Sequence, residues 1–371
     1  MKNNSHGNVI IQNLRLRQFR NLSEISFEPA PRLNLIFGDN GHGKTSLIEA
    51  LYILATTQSF RSSKLGETIQ DGKESAQIKG LVQSFGLTRE LKATVSARGR
   101  SFLLDGKSPK RRLDYALQTP VIAFHPGDLL LVNGPASHRR TLLDRVMIYQ
   151  DPTGSDARIF YKKALRDRQK ILAERGIRAR ELDAYEEVIA RYGARYCQGR
   201  SRAAQTIVEA LGPTFQRMAD PHLQCVTVYE PGGVQEEAVF LKELQTRRQK
   251  DLMRGAATFG PQKDEIFMEL DGRPARSHGS QGQQRLLTLA MKLAELHCVR
   301  EITHMEPMLL LDDVSSELDP LRTAAVFEFL KEAKSQIFVT TTRRELFSEV
   351  RHQEGLRKDF EVREGALINS K

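Results

Sequence analysis

Lys44 and Thr45 end the run Gly38-Asp-Asn-Gly-His-Gly-Lys-Thr45, and this G-x-x-x-x-G-K-[ST] spacing suits the phosphates of a nucleotide. Glycines at 38, 41 and 43 let the backbone turn N–H groups inward, and a helix starting there adds its positive dipole end. Lys44 would neutralise the β and γ phosphates and Thr45 would give its hydroxyl to Mg²⁺, with Asp39, Asn40 and His42 completing the cradle. Near the C-terminus, Asp312 and Asp313 follow the apolar run Met308-Leu-Leu-Leu311. Paired acids at a strand end suit one carboxylate for the metal shell and a second to orient an attacking water. A third element is Ser280-Gln-Gly-Gln-Gln-Arg285. Ser280 with Gln283 three residues on reads as a capping box. With Gly282 in the first turn, such a helix start leaves N–H groups to meet a phosphate. Each motif alone has a plainer reading: a glycine turn with a solvated lysine, a core strand with a polar end, an ordinary capped helix. Their joint presence and order favour the chemistry.

These residues need particular supports. Leu33-Asn-Leu-Ile-Phe37 reads as a short strand before the glycine run, and Leu47, Ile48, Leu51, Tyr52 and Leu54 recur after it at helical spacing. Leu286, Leu287, Leu289, Ala290, Leu293 and Leu296 mark an amphipathic helix behind Ser280. The chain opens β-rich, with strands expected near 9–17, 23–37, 76–84 and 87–97 and a turn at Arg98-Gly-Arg100. From 109 to 258 the pattern is mainly helical, with a helix opened by Pro135, long helices across a basic region and an interruption at Gly212-Pro213. From 259 come a strand, the Asp271-Gly272 turn, the helix behind Ser280, the Asp-Asp strand, another helix and strand, and a closing hairpin near 358–369. The expectation is an α/β nucleotide domain of mixed sheet and helices, formed by 1–108 and 259–371, with an inserted helical arm at 109–258.

The motif order, continued by Val314-Ser-Ser-Glu-Leu-Asp319-Pro320, resembles the ATPase heads of the ABC superfamily, and within it the RecF family. The likeness covers nearly the whole chain: Phe19-Arg-Asn21, Ser59-Phe-Arg61, Phe124-His-Pro-Gly-Asp-Leu129, Arg139-Arg140 with Leu143-Asp144, Gly260-Pro261 and Gly272-Arg-Pro-Ala-Arg276. Gln262-Lys-Asp-Glu265 replaces the family's usual His-Arg-Asp-Asp after Gly-Pro, so the histidine's role does not transfer to Gln262. Transporter heads carry Leu-Ser-Gly-Gly-Gln, a glutamate after the strand aspartate and a switch histidine. Here stand Ser-Gln-Gly-Gln, Asp313 and Thr340-Thr-Thr342. Asp313 is a methylene shorter than glutamate, which implies slow hydrolysis suited to a timer. Related heads with long coiled coils insert hundreds of residues; the insert here, about 150 residues, has neither sustained heptads nor a Cys-x-x-Cys hook.

The resemblance implies an ATP-dependent homodimer. Residues 38–45 of one copy hold ATP, Thr45 and Asp312 share Mg²⁺, and Asp313 polarises water. Ser280, Gln281, Gly282 and Gln283 of the other copy meet the γ-phosphate, and Asp319 couples the two sites. Lys44, Asp312 and Asp313 are then the catalytic residues of a weak, DNA-stimulated ATPase. The family's partners are DNA, as single strand, duplex or gap junction, and RecO and RecR. Its function is recombinase loading in recombinational repair, supporting replication restart and SOS induction.

Composition agrees. Net charge of +10 and a pI near 9.5 call for a polyanionic partner. Between Arg158 and Arg202 thirteen basic residues face six acids, an excess of +7. Like-charged i, i+4 sets there repel in water, and a phosphate backbone would relieve them, which makes Lys162, Lys163, Arg166, Lys170, Arg191 and Arg195 candidate DNA contacts. The plainer reading is a solvated helix face. No Trp and 7% aromatics leave few base-stacking platforms. No apolar run is long enough for a membrane helix, and the polar first seven residues do not form a signal sequence, so the chain reads as cytoplasmic, with no membrane partner. Cys197, Cys225 and Cys298 lack metal spacing and read as reduced structural residues. Two alternatives stand beside this reading. An ABC-type subunit energising a membrane permease would carry the Leu-Ser-Gly-Gly-Gln signature. A small-molecule P-loop kinase would have no use for 280–285.

Overall fold

The structure, a computed structural model, describes residues 7–173, 179–219, 222–313, 333–348 and 355–370. The chain divides into two compact units, one formed by Met1–Asp128 and Val299–Lys371, the other by Leu129–Cys298.

The first unit holds two main sheets. One has six strands in the order Ala366–Ser370, Arg357–Arg363, Leu33–Phe37, Ile337–Thr341, Met308–Leu311, Val121–Phe124. All pair in parallel except the closing hairpin 357–370. Val121–Phe124, Met308–Leu311 and Ile337–Thr341 are buried throughout, as parallel strands covered on both faces must be, so the first two read as continuous apolar runs without alternation and the third is apolar up to Thr340. The other sheet is antiparallel, ordered Leu22–Phe27, Ile10–Phe19, Ser75–Ser84, Leu87–Ser96, Gly99–Leu104. Its strands alternate, with Leu14, Leu16, Ile78, Leu91 and Ala93 inward. The helix Lys44–Thr56 packs against strands of both sheets and is buried at eleven of its thirteen positions. The Gln336 amide ties the two layers together: its oxygen accepts from Ile11 N at 2.7 Å, and its nitrogen donates to the carbonyls of Ile11 and Ala30.

The second unit contains the helices Ala136–Gln150, Pro152–Ala173, Ala179–Gln216 and Glu237–Arg254, the start of Gln281–Thr303, and a sheet ordered Arg273–Pro274, Glu265–Leu270, Cys225–Glu230. Its limits, 129 and 298, differ from the 109–258 read in the sequence. Val121–Phe124 pairs with Met308–Leu311 in the first unit, whereas Glu265–Leu270 pairs with Cys225–Glu230. The helix behind Ser280 therefore begins in the second unit. Gly212-Pro213 does not interrupt its helix: Leu211 and Phe215 are wholly buried, and one last turn survives the loss of a single amide donor. The stretch 23–37 is two strands, 22–27 and 33–37. The helix expected after Asp313 lies outside the described residues.

Within the second unit the buried Glu295 receives Arg145 Nε and Lys292 Nζ, each at 2.5 Å. Burial pushes its carboxyl up, but the two cations outweigh burial and hold it at about 2, against an ordinary 4.5. A depressed carboxylate stabilises above its unfolded value and loses that contribution as pH falls through its folded value. The contribution is about 3 kcal/mol and disappears between pH 4.5 and 2. Urea midpoints of wild type and Glu295→Gln should differ most above pH 4.5 and converge near pH 2; a pH-independent gap would assign the effect to packing alone.

Candidate nucleotide site

Strand Leu33–Phe37 delivers the chain to Gly38, and helix Lys44–Thr56 takes it up from Gly43. Gly38, Gly41 and Gly43 have φ of 144°, 83° and 115°, conformations that side chains resist. A Cβ on Gly38 would lie 2.3 Å from the Val362 carbonyl, and one on Gly43 would lie 2.5 Å from Leu22. Lys44 Nζ donates to the carbonyls of Gly38 at 2.8 Å and Asp39 at 2.9 Å, which folds the ammonium over the loop. Thr45 Oγ1 donates to Asp312 Oδ1 at 2.9 Å, so residues 267 positions apart meet at one point. Thr340 Oγ1 donates to the same oxygen at 2.8 Å and accepts from Asp313 N at 2.8 Å. One hydroxyl thus fixes both acids, with Asp313 in the left-handed region at φ 51°.

Burial raises the Asp312 carboxyl, with Thr340 and Thr45 pulling it back and Asp313 adding to the rise. Burial lowers the Lys44 ammonium, opposed by Asp313, Asp312 and Asp39. Both shifts favour neutral forms, and a divalent cation beside Thr45 and Asp312, with a phosphate beside Lys44, would restore the charged ones. The residues present therefore fit Mg²⁺ and a polyphosphate. A cleft of about 900 Å³, lined by Asn21, Gly41, Lys44, Thr45, Arg61 and Asp313 among others, is large enough for a nucleotide.

The wall of this cleft uses residues to which sequence reasoning gave no role. Glu49, fully buried on the Lys44–Thr56 helix, accepts from Arg20 Nε and Nη2 at 3.0 and 2.8 Å, from Ser59 Oγ at 2.6 Å and from Arg61 at 3.3 Å. Asn21 donates to the Gly41 carbonyl at 2.9 Å and accepts from Ser46 Oγ at 2.9 Å, so it braces the loop from outside. A lone carboxylate within an apolar helical pattern was the available signal, together with Phe19-Arg-Asn21 and Ser59-Phe-Arg61. Phe60 stacks on His125 at 4.7 Å between ring centres, which draws Phe124-His-Pro-Gly-Asp128 to the same wall.

In the second unit Ser280 and Gln283 form the reciprocal cap: Gln283 N donates to Ser280 Oγ at 3.2 Å, and Ser280 N donates to Gln283 Oε1 at 2.8 Å. The box accounts for two donors, so the N–H groups of Gln281 and Gly282 are those left to meet an anion. Ser280 and Gln281 are exposed. Asp319 lies outside the described residues.

Residues 10–363 match the family model of the RecF/RecN/SMC N-terminal domain. The chain is 37% identical to the DNA replication and repair protein RecF of Anaeromyxobacter sp. (strain Fw109-5), over 90% of this chain and 92% of that one. It belongs to the RecF family. It is 36% identical to RecF of Myxococcus xanthus (strain DK1622), covering 89% of this chain and 90% of the relative. The solved RecF-ATP structure of the RecFOR pathway superposes with a TM-score of 0.89 at 25% identity, covering both chains fully. The Smc head domain of Pyrococcus furiosus is similar in fold, with a TM-score of 0.58 at 16% identity over 98% of this chain and 96% of that one. The fold is accordingly the α/β ABC-type ATPase head of RecF and Smc.

Two arginines in the basic run of this RecF-family chain are buried in ion pairs. Arg168 is wholly buried between Glu186 and Asp251, each at 2.8 Å, and Arg200 is buried between Asp144 and Asp264. Lys162, Lys163, Arg166, Lys170, Arg191 and Arg195 are all exposed, and Lys162, Lys170 and Arg191 each also have a carboxylate within 4 Å. Gln262, in the place of the family histidine, accepts from Tyr161 and donates to the Phe259 carbonyl at 2.7 Å. Cys197, Cys225 and Cys298 form no disulfide. Among the described residues no helix is long and apolar enough to cross a membrane.

Proposed function

We propose that the chain is an ATP-dependent DNA-binding protein of recombinational repair that dimerises on ATP at gapped DNA. There it helps RecO and RecR load recombinase, supporting replication restart and SOS induction. The observation that carries this reading is the exposed, serine-capped helix start, whose Gln281 and Gly282 N–H groups suit the γ-phosphate of a second copy. Relatives named as DNA replication and repair proteins, and the solved RecF-ATP structure, support the same reading.

Lys44 and the backbone of 38–45 hold the phosphates, and Thr45 with Asp312 would hold Mg²⁺, which would supply charge neutralisation to the phosphates. Asp313 orients the attacking water, its position set by Thr340. Turnover is slow and DNA-stimulated. Loss of the γ-phosphate removes what the partner's Ser280 helix grips, and the dimer opens. The DNA-facing residues are drawn from Lys162, Lys163, Arg166, Lys170, Arg191 and Arg195.

Size-exclusion chromatography of wild type, Lys44→Ala and Ser280→Arg with ATP, ADP and DNA tests this. Only wild type with ATP should elute as a dimer, and Ser280→Arg should still bind nucleotide as a monomer. Normal dimerisation of Ser280→Arg would remove that helix from the site.

A further inference from the structure

Arg139-Arg140, Leu143-Asp144 and the run 260–265, motifs that the nucleotide site leaves unused, meet in one cluster of the second unit. Asp144 Oδ1 accepts from Arg200 Nη2 at 2.7 Å and from Tyr196 at 2.8 Å. Its Oδ2 faces two more cations, Arg158 Nη1 at 3.4 Å and Lys162 Nζ at 3.8 Å. Arg200 also donates to Asp264 Oδ2 at 2.9 Å and to the Pro261 carbonyl. Asp264 further accepts from Tyr229 at 2.9 Å and Gly232 N at 2.7 Å, while Arg140 reaches its backbone carbonyl at 3.0 Å. Arg139 and Glu265 form a bidentate pair at 2.6 and 2.8 Å. Five cationic side chains, Arg139, Arg140, Arg158, Lys162 and Arg200, thus share three carboxylates, Asp144, Asp264 and Glu265.

The excess sits on the outer side. Arg139 and Arg200 are buried and taken up by close partners, whereas the Arg158 and Lys162 side chains are 24% and 53% exposed and Arg140 is half-buried. At 3.4 and 3.8 Å their contacts with Asp144 are long for charge-assisted bonds, and Arg158 Nε is buried without an acceptor. Burial lowers the Lys162 ammonium; Asp144 opposes, and Arg158, Arg200 and Arg140 lower it further. Repulsion of this kind costs free energy that an oxyanion would offset.

We propose that Arg140, Arg158 and Lys162 form a phosphate-binding site that takes a phosphodiester of the DNA backbone. The assignment rests on the DNA-binding reading above and adds Arg140 and Arg158, which spacing did not select. Two guanidinium forks and one ammonium match a phosphate's oxygens. Asp144, Arg200 and Asp264 behind them hold the 260–265 turn, so the three cations are presented on a braced base.

Fluorescence anisotropy with gapped DNA across a salt series tests the site on the full chain, comparing wild type, Arg158→Gln/Lys162→Gln and the exposed-lysine control Lys242→Gln. Melting curves and ATP binding check that each folds. The double variant should bind about tenfold more weakly, and its log K against log salt slope should fall in magnitude by about 1, the loss of one phosphate contact. Lys242→Gln should match wild type. Inorganic phosphate is titrated separately, following the Arg158 Nε–Hε resonance that Arg158→Gln removes. Unchanged affinity and slope in the double variant overturn the site and leave the DNA reading standing. Wild type that binds no DNA sinks that reading; a phosphate-induced shift at Arg158 would then overturn the phosphodiester assignment in favour of a small phosphate.

Discussion

Asp313→Asn should lower ATP turnover by about 100- to 1,000-fold while leaving ATP binding and ATP-driven dimerisation in place. Asparagine matches aspartate in shape and tolerates the left-handed backbone found at this position, so the Asp313 N–H bond to Thr340 persists. What disappears is the charge to which the proposed function assigns the water. Asp312 is a different case. Its Oδ1 is held by both Thr45 and Thr340, so Asp312→Asn should weaken the Mg²⁺ dependence of nucleotide binding as well as turnover. Single-turnover phosphate release beside a fluorescent-nucleotide titration separates the two outcomes. Turnover within threefold of wild type in Asp313→Asn would assign the water to another residue.

The second large effect lies in the helical unit. Arg168→Leu should destabilise that unit by about 3–5 kcal/mol, because it strands Glu186 and Asp251, both fully buried. Arg248 still reaches Glu186, and Thr258 still donates to Asp251, so the loss stays within this range. A melting transition lower by roughly 10 °C would report it. Exposed Lys163→Leu, five residues away, should move the transition by less than about 1 kcal/mol. Equal effects of the two substitutions would mean that the basic run is a uniform solvated face.

That contrast shows what the sequence could and could not disclose. The phosphate loop was legible because its glycines answer a backbone demand made within eight residues, and Met308–Leu311 was legible because burial on both faces writes a continuous apolar run. Val121–Phe124 was assigned to the arm, since four apolar residues amid helical patterns look alike in either setting until Met308–Leu311 is seen beside them. The burial of Arg168 was hidden for a similar reason. Spacing records which residues share a helix face, but Glu186 and Asp251, which neutralise Arg168, come from other elements. The brace on Gly41 from Asn21 and the hold of Thr340 on both acids also join distant segments, and only a fold reveals them.

The order of strands around the phosphate loop also bears on the birth of the protein. Leu33–Phe37 lies between Ile337–Thr341 and Arg357–Arg363, and the Val362 carbonyl closes against Gly38. A ribosome that has translated the glycine loop must therefore add nearly three hundred further residues before either flanking strand exists. Nascent chains therefore cannot assemble the nucleotide cradle until synthesis is nearly complete.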